Sequence, residues 1–179
     1  MIFLRLLTTL LLSLGIASGA LADQWTTPFI EGYGKIQYDA DAAFQPKQDE
    51  QYKVIFAIDS DQQHDGVNAG LWSVARFMNL MAAADMDPDN VKAVAMISGS
   101  ATPLAMSDEF YQQRNEASNP NLELLRALAD NGVEIYVCEQ ALVGFDIDPA
   151  TQVNEHIEPV LSALTTIPQL QMDGYVLMP

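Results

Sequence analysis

Tyr52-Lys53-Val54-Ile55-Phe56-Ala57-Ile58 is a near-continuous apolar run. A strand that faced water on one side would alternate polar and apolar residues; an unbroken run of this length is what a parallel strand buried on both faces requires. The polar stretch Asp59 to Gly66 follows as a loop at its carboxyl end. Beyond it, Val67, Leu71, Val74, Met78 and Met81 recur at helical spacing as far as Ala84. Trp72, Phe77 and Leu80 widen that apolar surface past a single stripe. A helix of this kind needs a second covering surface, which points to a subunit contact.

The pattern then repeats. After the turn Asp87-Pro88-Asp89-Asn90 the spacing predicts a strand over Val91 to Ile97, closed by Ser98-Gly99-Ser100. Ser107 to Ala117 reads as a polar helical insert. Asn119 and Pro120 are residue types that cap and open a helix, and Leu122, Leu125 and Leu128 form its buried stripe. Asn131-Gly132 supplies a left-handed stop. Val133 to Val137 is a third strand with Cys138 directly after it. A short strand is expected within Val153 to Leu161, a helix over Ser162 to Met172 that Pro168 bends or shortens, and a last strand over Tyr175 to Met178. Alternating strands and helices with no evident hairpin imply an α/β fold with a mostly parallel sheet of about five strands, covered by helices on both faces.

Upstream of this domain (52–179) two segments stand apart. Residues 1–22 read as a secretory signal: Arg5 is the charged start, Leu6 to Ile16 the apolar stretch, and Ala20-Leu21-Ala22 the cleavage pattern, which places the mature N-terminus at Asp23. The apolar stretch is too short to span a bilayer, and no Cys follows it to carry a lipid anchor. Residues 23–51 form an arm broken by Pro28, Gly32, Gly34 and Pro46 yet rich in aromatics, namely Trp25, Phe29, Tyr33, Tyr38 and Phe44. Such an arm lies across its own domain or a neighbouring subunit.

Of the 8 Lys and Arg, Arg5 lies in the signal, which leaves 7 basic against 24 acidic side chains and a net charge of −17 after cleavage. That surface repels nucleic acid and anionic lipid, and its plain meaning is solubility in a salty or periplasmic medium rather than a specific basic partner. No later stretch is long and apolar enough to cross a membrane, so the cleaved protein is expected to leave the bilayer. There is no G-x-G-x-x-G and no phosphate-binding loop, and nothing calls for a cofactor.

An exported domain normally holds no Cys or an even number. This chain has one, Cys138, which is either buried and inert, paired between chains, or kept for its chemistry. It stands at the carboxyl end of a strand, where open α/β sheets bind ligands. If Glu139 to Val143 opens a helix, its N–H groups lower the thiol pKa, whereas the Glu139 carboxylate raises it. The loops Asp59 to Gly66 and Ser98 to Thr102 belong to the same edge, which makes His64, Asp61, Asp65, Ser98 and Ser100 candidates for its neighbourhood; His64, Ser98, Ser100 and Glu139 are the substrate-binding candidates. A Cys138–His64 protease pair lacks any supporting signature. A metal site from His64, Asp65 and His156 lacks ligand spacing, and His156 among Asn154, Glu155 and Glu158 reads as a surface position.

Gly132-Val133-Glu134-Ile135-Tyr136-Val137-Cys138-Glu139-Gln140-Ala141-Leu142 resembles the DsrE/DsrF-like family, whose members carry a comparable strand ending in Cys. The similarity extends over about Tyr52 to Met178. It implies a flavodoxin-like three-layer sandwich assembled as a homotrimer or homohexamer, with the Cys in a cleft near a subunit interface. In sulfur-relay members such as the TusD-like subunits, that Cys takes sulfane sulfur as a persulfide and passes it to a partner protein; here the role falls on Cys138. Two positions depart from the pattern. Ser98-Gly99 stands where many exported relatives have His-Gly, and Glu139 where a small residue is common. The competing reading is an oligomeric binding protein in which Cys138 is a small buried hydrophobe.

Overall fold

The computed structural model describes residues 25–178; the signal segment 1–22 lies outside them. Strand β1 (Tyr52–Ile58) pairs in parallel with β4 (Val91–Ile97) over its whole length, from Tyr52 opposite Val91 to Ile58 opposite Ile97. Strand β5 (Glu134–Cys138) joins β4, β6 (Glu158–Val160) joins β5, and β7 (Val176–Met178) takes the other side of β1. The order is β6-β5-β4-β1-β7, all parallel, in a flavodoxin-like α/β sandwich.

The lack of alternation in β1 and β4 has its expected cause, since side chains leave both faces into apolar cores. Val54, Phe56, Ile58, Ala95 and Ile97 meet helices α1 (Ala69–Ala83) and α3 (Leu122–Asp130). Ile55, Val94 and Met96 face the other way, toward Ala163, Ile167 and Leu170 of α5 (Ala163–Met172). The first face is the larger core. Among the described residues the second is covered mainly by α5, with Ala141 of α4 (Glu139–Gly144) at its edge, and Leu164 (86 % exposed), Met172 and Val176 stand bare at its margin. Helix α5 continues four residues past Pro168.

Three local readings are corrected. The stretch after β1 is not a plain loop: β2 (Gln63–His64) and β3 (Val67–Asn68) form a short antiparallel ribbon. Asp65 and Gly66 make its turn at φ 50° and 84°, the two positive values that an Asp-Gly hairpin turn uses. Helix α1 therefore starts at Ala69, with the Asn68 side-chain oxygen Oδ1 accepting from Gly70 N (2.9 Å) and Leu71 N (3.2 Å). Helix α3 begins at Leu122, because Asn119 uses its side-chain oxygen on Asn121 N (3.1 Å) and closes a turn before the helix. The polar insert is helix α2 (Asp108–Asn115), and α4 (Glu139–Gly144) follows β5 without a break.

Part of the broad apolar surface of α1 is covered by the chain's own arm. Asn79, fully buried in α1, accepts from Phe29 N (2.9 Å) and Ile30 N (2.7 Å) and donates to the carbonyls of Tyr33 (2.8 Å) and Gly34 (3.1 Å). One amide thus satisfies four backbone groups of an arm with almost no regular structure of its own. Ile30 and Ile36 are sealed beneath, each worth about 2 kcal/mol of burial. At Gly34 the arm runs so close to α1 that a Cβ would sit 2.2 Å from Arg76 N, and its φ of +62° also favours glycine. Arg76 lies over the Trp72 ring at 4.1 Å and the Trp25 ring at 5.8 Å, tying the arm's start to the same helix.

Replacing Asn79 by Ala strands those four groups, so Asn79→Ala is expected to cost about 3 kcal/mol. Urea unfolding measures the loss, and limited proteolysis should show new cuts within 25–51 before any in the sheet.

Candidate functional site

Parallel strands all end at one edge, and the chain turns straight into a helix after two of its neighbours there. Cys138 is both the last residue of β5 and the residue from which α4 starts. It stands opposite Val160 of β6, and two residues beyond Val160 lies Ser162, the N-cap of α5. Two helix starts therefore converge on one sulfur. Sγ lies 3.8 Å from Ser162 Oγ, which also accepts from Leu164 N (3.2 Å).

The residue is 6 % exposed and packs with Ile55, Val94 and Met96, with Tyr136, Ala141, Val160 and Ala163 around it. Burial alone pushes the thiol pKa up, because the thiolate loses water. Against it act the backbone N–H groups of Ala163, Ala141 and Gln140 and the Ser162 hydroxyl, and the thiol ends below its ordinary value. Burial and these donors, rather than the Glu139 carboxylate, set the balance. Glu139 itself is half-buried as the first residue of α4.

The other residues singled out in the sequence divide between places. Ser98 is one position past the Ile97–Val137 pair, level with Cys138 on the neighbouring strand, and its N–H donates to the Ile58 carbonyl (2.9 Å). Gly99 then turns at φ +53°, with the Asp59 carbonyl 2.6 Å from where a Cβ would stand. Ser100 and Asp61 meet each other instead of the thiol: Ser100 Oγ accepts from Asp61 N (3.1 Å) and lies 3.3 Å from Asp61 Oδ1. His64 projects from the ribbon onto Trp72, ring centres 4.1 Å apart, with Nε2 3.9 Å from Asp65. None of His64, Ser100 or Asp61 is among the groups acting on Sγ. His156 is half-buried, its backbone N–H on the Asn154 side chain (2.9 Å).

Sequence reasoning missed Ser162 and the Ala163 N–H as partners of the thiol. Ser162 was legible as a helix cap, but its proximity to Cys138 depends on β6 lying beside β5, which no local pattern states.

The sequence model of the DsrE/DsrF-like family matches residues 53–179. The chain belongs to that family. Among solved structures, a protein of unknown function from Methanobacterium thermoautotrophicum is similar, with 21% identity, a TM-score of 0.53, and coverage of 72% of this chain and 98% of the other. At that identity the likeness concerns the fold. No curated protein matches the chain. In this DsrE/DsrF-like domain, the strand exit holds a thiol whose pKa lies below its ordinary value, inside an apolar wall.

Removing the Ser162 hydroxyl takes about 1 kcal/mol of hydrogen bonding from the thiolate, so Ser162→Ala should hold roughly fivefold less thiolate at a pH below its pKa. The pH dependence of iodoacetamide alkylation measures this as an upward shift. The depressed native pKa also has a stability consequence of fixed sign. Ionisation of Cys138 favours the folded state above the unfolded thiol's value of about 8.5, and that gain is lost as the pH falls through the native value. Cys138→Ser should therefore lose stability relative to the parent as the pH is raised across that window, as read by urea midpoints.

Proposed function

We propose that this protein is an exported sulfur carrier that works through a persulfide on Cys138. The observation that carries this reading is the ring of N–H donors from Gln140, Ala141 and Ala163 which, with Ser162, favours an anionic sulfur despite burial. The same donors suit the outer sulfur of a persulfide, which is also an anion at neutral pH. Family membership adds to it, since the resemblance to sulfur-relay members implies that role for the strand-end Cys. With thiosulfate as donor, the Cys138 thiolate attacks the outer, sulfane sulfur; a new S–S bond forms, the old one breaks, and sulfite leaves with the electron pair. An acceptor thiolate then attacks the outer sulfur and returns Cys138 as thiolate. No cofactor takes part.

The donor and acceptor are small sulfur species or a partner protein, and the site is to be completed by other copies of the chain. In support of self-assembly, Leu161, Leu164, Met172 and Val176 are 62–86 % exposed along α5 and β7, a face too apolar for a solitary domain. Export to the periplasm rests on residues 1–22 and agrees with the acidic composition.

A second reading, a non-catalytic binding protein with a structural Cys138, is favoured by the 6 % exposure of that residue. Two measurements separate them. Incubated with thiosulfate or polysulfide, the mature protein should gain one sulfur by intact mass, and Cys138→Ser should gain none. A thiol that forms no adduct with either donor, and that is alkylated only after denaturation, would leave the second reading standing.

A further inference from the structure

Over the carboxyl ends of β1 and β4, away from the groups that surround the thiol, lies a cavity of about 220 Å³. Its walls come from four separate segments: Asp61 after β1, Gln63 on the ribbon, Ser100 and Leu104 in the turn after β4, and Tyr111 on α2. Two buried amides, Asn68 and Asn121, complete it, and both are spent internally. Asn68 caps α1 and donates to the Ser60 carbonyl (2.7 Å), while Asn121 accepts from Asn68 N (2.7 Å) and donates to Asn119 (3.1 Å). They hold the cavity's shape and leave recognition to the other side chains.

What remains unspent is rich in acceptors. Among the described residues, the Gln63 amide, the Tyr111 hydroxyl and the second carboxylate oxygen of Asp61 have no protein hydrogen-bond partner. No Lys, Arg or His lines the cavity, so an anion would meet Asp61 with no compensating charge. A single carboxylate is too few for a hard divalent cation. An ammonium group suits this lining, because its three donors match acceptors carried by Asp61, Gln63 and Tyr111. Ala101 and Leu104 give the apolar side along which an alkyl stem can lie. The space is roomy enough for a short alkyl chain with its charged head. The net charge of −17 after cleavage concentrates cations near the protein.

We propose that this cavity is a binding site for a short alkylammonium ion, held by Asp61 at its charged end and by Leu104 along its stem. It is separate from the Cys138 site and does not depend on the sulfur-carrier reading.

The test is a titration of the mature protein, in about 0.15 M salt to screen non-specific attraction, with butylamine, with its neutral isostere 1-butanol, and with butyrate, followed by backbone amide chemical shifts. Butylamine should give saturable shifts centred on Gln63, Ser100 and Tyr111, and the other two compounds none. Asp61→Asn should weaken binding roughly tenfold, the scale of a lost charge-assisted hydrogen bond. Asp49→Asn, the same charge change on the arm, should leave it unaltered, and Tyr111→Phe should weaken it with the fold intact. Overturning results are an absence of saturable shifts, equal binding of 1-butanol, or an affinity that falls as much in Asp49→Asn as in Asp61→Asn.

Discussion

The seven-residue parallel pairing of β1 with β4 governs the rest of the molecule. Parallel strands cannot be joined by a tight turn, so each must be followed by a crossover that returns the chain to the starting edge. All carboxyl ends then lie along one rim, and every helix that follows a strand presents its N-terminal N–H groups there. The environment of Cys138 is a direct product of this. Helix α4 opens from its own strand and α5 from the neighbouring one, so donors from two crossovers reach one sulfur. No charged side chain is needed to favour the thiolate.

Coverage of the sheet is unequal, and the two faces solve the problem differently. On one face α1 and α3 make a deep core, and α1 is wide enough to demand a further layer. The arm provides that layer with little regular structure, its backbone groups being taken up by Asn79 and its apolar side chains by the helix surface. On the other face, among the described residues, α5 supplies most of the cover.

Much of this was legible in residue order. Val91 to Ile97 reads as a strand and is one from end to end, and the exit of β5 at Cys138 follows from the length of its apolar run. Periodicity reports which residues are buried, so it works best for elements that are long and covered on both sides. It failed at the ribbon, where Gln63 and His64 are exposed and two-residue strands are too short to show a period, although Asp65-Gly66 carried the turn signal. It also failed for the neighbours of the thiol. That Asp61 and Ser100 should bond each other while Ser162 reaches Cys138 depends on strand order, and strand order is a global property. The Asn119–Asn121 turn displaced a cap by two residues because either Asn could serve, and tertiary contacts with Asn68 chose between them.

Helix α5, over the second face, ties two properties of the sulfur together. Ser162 and the Ala163 N–H, which make the thiol acidic, belong to the same first turn of α5 that shuts it from solvent. Lifting that helix would admit a reactant and in the same movement withdraw part of what keeps the sulfur charged. Access and acidity therefore pull against each other at this rim, and a neighbouring surface that slid in beside α5 without displacing it would escape the conflict.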